Sequence, residues 1–159
     1  MTPTADKVHG TVSTAREKEL SGSEFVPGLA AGNLPLNAIA RTLCHSVIEA
    51  SNGRVTVAAE PNLTLLHPAG TLHGGFSRTL LDSRMGLAIH STHGRRIGLT
   101  TLESEIHPVR SITTRTGKIT AEGAVLSRGR RIATAKKKMT DRNRRLLAHG
   151  TANCLTFEH

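Results

Sequence analysis

The run Gly70-Thr71-Leu72-His73-Gly74-Gly75, followed about two helical turns later by Asp82, is the stretch of this chain best equipped for chemistry. Paired glycines at a helix start let backbone approach a ligand closely, and the free N–H groups there can stabilise a developing oxyanion. Leu80, Leu81, Met85 and Ile89 surround Asp82 in the sequence, so a carboxylate there is costly to leave unpaired. It either accepts hydrogen bonds as a structural group or takes part in a reaction. Other constellations are weaker. His90 and His93 share a helix face without a Cys or acidic neighbour, which suits a helix C-terminus better than zinc. No Gly-x-Ser-x-Gly elbow accompanies His-Gly-Gly, and no Gly-Lys-Ser/Thr follows the glycines, so neither a lipase nor a nucleotide P-loop is supported.

Something must hold these groups in place. Between 74 and 91, Phe76, Leu80, Leu81, Met85, Leu87, Ala88 and Ile89 cover most of a helical circumference, which predicts a helix buried on nearly every side. Upstream, short β-type runs over 43–50 and 54–60 flank Ser51-Asn52-Gly53; Asn-Gly predicts a hairpin with a type I′ turn. Short helical pieces are expected over 24–31 and 35–42. Downstream, four long runs over 99–109, 117–126, 131–140 and 146–157 predict a meander of strands. One apolar helix with a mostly antiparallel sheet is an α+β architecture in which the sheet wraps the helix. Residues 1–20 lack an apolar period and are expected to form a flexible tail, leaving 21–159 as a single domain.

Composition narrows the function. No run approaches the roughly 20 apolar residues of a membrane span, and the N-terminus lacks a signal-peptide layout, so a cytoplasmic protein is expected. Cys44 and Cys154 are expected as reduced thiols. Lys+Arg 21 against Asp+Glu 12 gives +9, and the excess is concentrated between Arg110 and Arg145. Such a field attracts polyanions. With no Trp or Tyr and three Phe, base-stacking platforms are poor, which argues against a nucleic-acid-binding module. Lys136, Lys137 and Lys138 read as a solvated strand face. Arg78 and Arg84 are expected at the helix surface.

The segments His67-Pro68-Ala69-Gly70-Thr71-Leu72-His73-Gly74-Gly75, Leu80-Leu81-Asp82-Ser83, Thr100-Thr101-Leu102-Glu103, Ala121-Glu122-Gly123, Ser127-Arg128-Gly129-Arg130-Arg131-Ile132-Ala133 and Ala148-His149-Gly150-Thr151 occur in that order. Together they resemble the phenylacetate-pathway (PaaI-like) branch of the hotdog-fold acyl-CoA thioesterases, over about residues 24 to 157. The resemblance implies an antiparallel sheet wrapped around a long helix, homodimers joined edge to edge, often paired into tetramers, and active sites at the dimer interface. It implies that the Gly74 N–H polarises the thioester carbonyl, while Asp82 of the other subunit attacks the carbon or activates water. Thr101, with Thr100 beside it, falls where the family places a positioning hydroxyl, and His73 and Gly75 flank the substrate. His67 stands where relatives commonly have Asn or Gln, whose side chain contributes to the carbonyl or water site, so the resemblance implies a catalytic position for it. The nucleotide end of acyl-CoA falls to Arg128, Arg130 and Arg131. The resemblance requires no metal and no cofactor beyond the coenzyme A of the substrate. A non-catalytic acyl-CoA binder is the main rival, and Asp82 is the residue that separates the two.

Overall fold

The computed structural model describes residues 8–159. Three short helices, α1 (Thr14–Glu19), α2 (Gly22–Ala31) and α3 (Ala38–Thr42), precede the hairpin β1 (His45–Ser51) and β2 (Arg54–Ala59). The long helix α4 (Gly74–His90) follows, then β3 (Ile97–Pro108), β4 (Ile119–Arg128), β5 (Ile132–Asp141) and β6 (Leu146–Glu158). Residues 1–7 of the expected tail lie outside the described residues. The rest of that segment carries α1 and a backbone bridge from His9 to Leu36.

All strands pair antiparallel in one sheet of order β1-β2-β4-β5-β6-β3. This corrects the expected four-strand meander. β4, β5 and β6 do follow one another, but β4 pairs with β2, and β3 lies beside β6 at the far edge. Strands of similar length and pattern read alike in a sequence, and only the connection through α4, which carries the chain from β2 to the opposite edge, sets their order. The hairpin is present, but its turn is not type I′. Of its two central residues only Gly53 has a positive φ, 77°, because its N–H donates to Ser91 Oγ (2.8 Å) and its carbonyl accepts from Val125 N–H (2.8 Å). Contacts with α4 and β4 override the local preference.

α4 packs against every strand except the β1 edge, and the sheet folds around it as a hotdog fold requires. Its buried residues are Phe76, Ser77, Leu80, Leu81, Arg84, Met85, Ala88 and Ile89. The approach is close enough to need glycine: a Cβ on Gly123 of β4 would stand 2.5 Å from the Arg84 carbonyl oxygen. Small residues do the same elsewhere, with Ala133, Ala135 and Ala152 packed under Met85 and Ile89. On the other side Val26, Val47, Val55, Val57, Leu80 and Ile119 form the larger core. Among the described residues no helix is long and apolar enough to cross a membrane.

Candidate active site

Asp82 lies halfway along α4, half-buried. Its Oδ2 accepts from Thr101 Oγ1 at 3.4 Å, while Oδ1 is buried and meets no donor among the described residues. Thr101 reaches it because of a β-bulge. The β3–β6 register pairs Thr101 with Cys154 and then Glu103 with Asn153, so Leu102 is an extra residue. In an unbroken strand, Leu99, Thr101, Glu103 and Glu105 would share a face. The bulge switches the parity after Thr101, turning half-buried Ser104 inward and leaving Glu103 and Glu105 exposed. Two further carboxylates are thereby kept off the face that holds Asp82.

Lys137 is the residue that the sequence reading missed. Lys136 and Lys138 are solvated as expected, Lys138 pairing with Glu122 at 3.3 Å. Lys137 is only 3% exposed, because it shares the inward parity of Ala133, Ala135 and Met139. Its side chain passes over Gly150, where a Cβ would stand 2.9 Å from Lys137 Cε, and Nζ donates to Ser104 Oγ at 2.7 Å. Burial pushes its pKa down to about 8; attraction to Asp82 opposes that shift, and repulsion from Arg78 adds to it. Cys154 closes the cluster, its thiol 4.0 Å from Thr101 Oγ1 and its pKa raised by burial. A carboxylate, a buried ammonium, two hydroxyls and a thiol therefore meet between α4 and the inner face of β3, β5 and β6.

The start of α4 is built separately. His73 caps the helix, its Nδ1 accepting from Gly75 N–H at 2.9 Å, so Gly75 has no free donor. Gly74 N–H has no acceptor among the described residues, and nothing stands within 4 Å of where its Cβ would be. It borders a cavity of about 280 Å³ with Thr71, Leu72, Ser77, Val109 and Ile112. His67 points into its own loop. Nδ1 accepts from Ala69 N–H at 3.1 Å, which leaves Nε2 as the protonated nitrogen facing Thr71 Oγ1. Thr100 is exposed on β3. Eight residues separate Gly74 from Asp82, about 12 Å along the helix. One protomer does not bring them to a common atom.

A cavity of about 540 Å³ lies at the opposite end of α4. Arg128, Arg130 and Arg131 line it with His93, Thr156 and Phe157, and Arg128 Nη1 donates to Thr92 O at 2.6 Å. His93 is buried with Nδ1 2.7 Å from Ile89 O, so it caps the helix C-terminus as expected. His90 stacks on Phe25. Arg78 is exposed, but Arg84, expected at the surface, is 1% exposed. It lies on the helical face of Leu80, Leu81 and Ala88, which turns it inward.

Residues 69–148 match the thioesterase superfamily. The chain belongs to that family. Solved structures agree with the assignment. A conserved protein of Pseudomonas aeruginosa is 26% identical, covering 76% of this chain and 94% of its own, with a TM-score of 0.70. Two others show the shared fold. A phenylacetic acid degradation-related protein of Ralstonia eutropha JMP134 is 20% identical over 82% of this chain and 98% of its own, TM-score 0.75. A Streptococcus mutans UA159 protein solved bound to acetyl-CoA is 24% identical over 72% of this chain and 89% of its own, TM-score 0.66. No curated protein matches the sequence. The part of this thioesterase that matches its family contains Gly74, Asp82, Thr101, the arginine turn and Lys137, but not α1 or α2.

Proposed function

We propose that this thioesterase hydrolyses an acyl-CoA in the manner of the phenylacetate-pathway branch, in a homodimer whose two active sites each combine Gly74 of one protomer with the partner's Asp82. The observation that carries the reading is the buried, unpartnered Oδ1 of Asp82, held by Thr101 on its other oxygen. The 12 Å between Gly74 and Asp82 along one helix is the reason for assigning them to different protomers. β3 supports that assembly, since it is a 12-residue edge strand with no strand on its outer side among the described residues.

In the proposed reaction the thioester oxygen accepts from Gly74 N–H. Asp82 Oδ1 takes a proton from water as the water oxygen bonds to the carbonyl carbon. The tetrahedral intermediate then collapses, the C–S bond breaks, and the proton on Asp82 passes to the departing thiolate. The products are a carboxylic acid and coenzyme A. Lys137 is a positioning residue, its ammonium orienting Asp82 from beneath. His67 holds the loop that delivers Gly74, and His73 and Gly75 shape the helix start. Thr100 and the turn Arg128, Arg130 and Arg131 face the coenzyme, the arginines taking its phosphates. No metal or added cofactor enters the reaction. The free thiols Cys44 and Cys154 suit a reducing cytoplasmic setting.

The test uses two inactive variants and a panel of aliphatic and aromatic acyl-CoAs with thiol detection. Asp82→Asn is expected to lower turnover by about 10²-fold or more, since an amide cannot take the proton. Gly74→Pro removes the N–H at the first helical position, where proline fits, and His73 before it is already extended (φ −62°, ψ 135°). Mixed and re-annealed, the two inactive proteins should regain up to about one quarter of wild-type activity, because half of the dimers are mixed and one of their two sites is intact. A mixture that stays inactive while forming mixed dimers rejects the shared site. An Asp82→Asn protein that still hydrolyses the best substrate at near wild-type rate rejects the mechanism. A wild-type protein that binds acyl-CoAs and turns none of them over is a binder.

A further inference from the structure

On the side of α4 turned about 200° from Asp82, the fold buries a second cation, Arg84, which forms no ion pair among the described residues. Its Nε and Nη1 meet no acceptor among the described residues. His45 feels the Arg84 charge and is itself 6% exposed with both ring nitrogens unpartnered. Burial and the Arg84 charge push the His45 pKa down to about 3, so it stays neutral and offers no compensation. Burial also pushes Arg84 down, to about 9, which still leaves it charged at neutral pH.

Arg84 borders a cavity of about 270 Å³ whose lining is apolar at Val12, Phe25, Leu29, Pro35 and Leu87 and polar at Thr11 and Asn37. Glu17 also lines this cavity but forms no ion pair with Arg84. Unpaired charge in an apolar setting is unfavourable unless an anion joins it. One guanidinium beside a neutral imidazole matches one negative charge, and five apolar walls match an organic body.

We propose that this cavity binds a small organic monocarboxylate, with the carboxylate against Arg84 and the apolar body against Phe25, Leu29 and Leu87. The site needs nothing from the hydrolysis proposed above. Its outer wall comes from α2 and the segment before it, which lie outside the stretch that matches the superfamily.

Thermal unfolding of the full chain at pH 7 with millimolar benzoate, hexanoate or benzamide tests it. Benzoate or hexanoate should raise the wild-type Tm by several degrees, and benzamide, which has the shape without the charge, should not. Arg84→Met should melt higher than wild type without ligand and lose the response to acid. Leu87→Trp, which fills the cavity while keeping Arg84, should also lose it. The proposal is overturned if neither acid shifts the wild type, if benzamide shifts it equally, or if the acid response survives in Arg84→Met, which would place the acid elsewhere. Arg84→Met melting below wild type would overturn it too, by showing that Arg84 already has a partner within the chain.

Discussion

α4 separates two buried cations with opposite circumstances. Lys137 reaches one side from β5, donates to Ser104 and is drawn to Asp82; Arg84 belongs to the helix itself and faces the other side, its Nε and Nη1 without an acceptor among the described residues. Burial lowers both pKa values, to about 8 and about 9. Only for Lys137 does an opposing attraction appear, and the carboxylate that supplies it is the one proposed to act on water. Burial of a charge therefore does not by itself mark function. What marks it is the company kept: a partner inside the chain ties Lys137 to the chemistry, and the lack of one directs Arg84 outward, to a ligand.

The sharpest way to break this comparison is Lys137→Met. A base whose folded pKa is depressed withholds stability at neutral pH, because the folded state holds its proton less tightly than the unfolded chain. The deficit is complete below about pH 8 and is relieved as the pH rises from there toward the ordinary lysine value. Lys137→Met should thus be more stable than wild type at pH 7 by about 1–3 kcal/mol, and the gap should close by about pH 10. Turnover should move the other way, with kcat falling by about tenfold and KM little changed, because the residue orients Asp82 and does not hold substrate. Denaturant melts at the two pH values and steady-state kinetics read both. A variant less stable and equally active would mean that Lys137 is a structural prop.

Much of this arrangement was legible in the residues. The helix over 74–91 and the six strands carry strong periodicities, and Gly74 and Asp82 stand out before any geometry, whereas Thr101 is marked only by the family resemblance. Lys137 had a signal too. Ala133, Ala135 and Met139 set an inward parity on β5, and Lys137 falls on it, but three consecutive lysines look solvated unless that parity is followed through them. Arg84 likewise sits three or four residues from Leu80, Leu81 and Ala88, all on one helical face. The bulges left no such trace. Leu102 is an ordinary apolar strand residue in the sequence, and only pairing with β6 shows it to be the extra one that turns Ser104 toward Lys137. The strand order was equally hidden, since it depends on where α4 delivers the chain.

The two sides of α4 should also separate on a pH axis. The Lys137 side titrates in alkali, whereas the Arg84 side carries two histidines that resist protonation: His45, pushed down to about 3, and His90, pushed down to about 4, both chiefly by burial. Above about pH 6.5 these are neutral in both folded and unfolded chains and the full stability is present. As the pH falls below that, the unfolded chain binds protons that the folded chain refuses, and stability declines by up to about 1.4 kcal/mol per pH unit for each histidine. Urea melts of wild type and His45→Leu between pH 7 and 4.5 should show both losing stability, the variant declining less steeply. Equal slopes would mean that His45 is hydrated or paired in solution.

The smallest effect is expected at His67, the residue that departs from the commoner Asn or Gln. An imidazole free of its loop would be able to turn toward the thioester oxygen or the water and so act on the rate. Here both ring nitrogens are engaged within the loop. Nδ1 is an acceptor for Ala69 N–H and so carries no proton, while Nε2 faces the Thr71 hydroxyl. Both contacts hold the ring against its own loop and away from the substrate side. Asparagine can accept from the same N–H through its side-chain oxygen, as it does in many turns. His67→Asn should therefore leave kcat/KM within about twofold and its pH profile between 5 and 8 superimposable on that of wild type. A limb lost from the profile of His67→Asn would show instead that the ring turns out of its loop to meet the thioester oxygen or the water, and that His67 belongs with Asp82 and Gly74 among the residues that touch substrate.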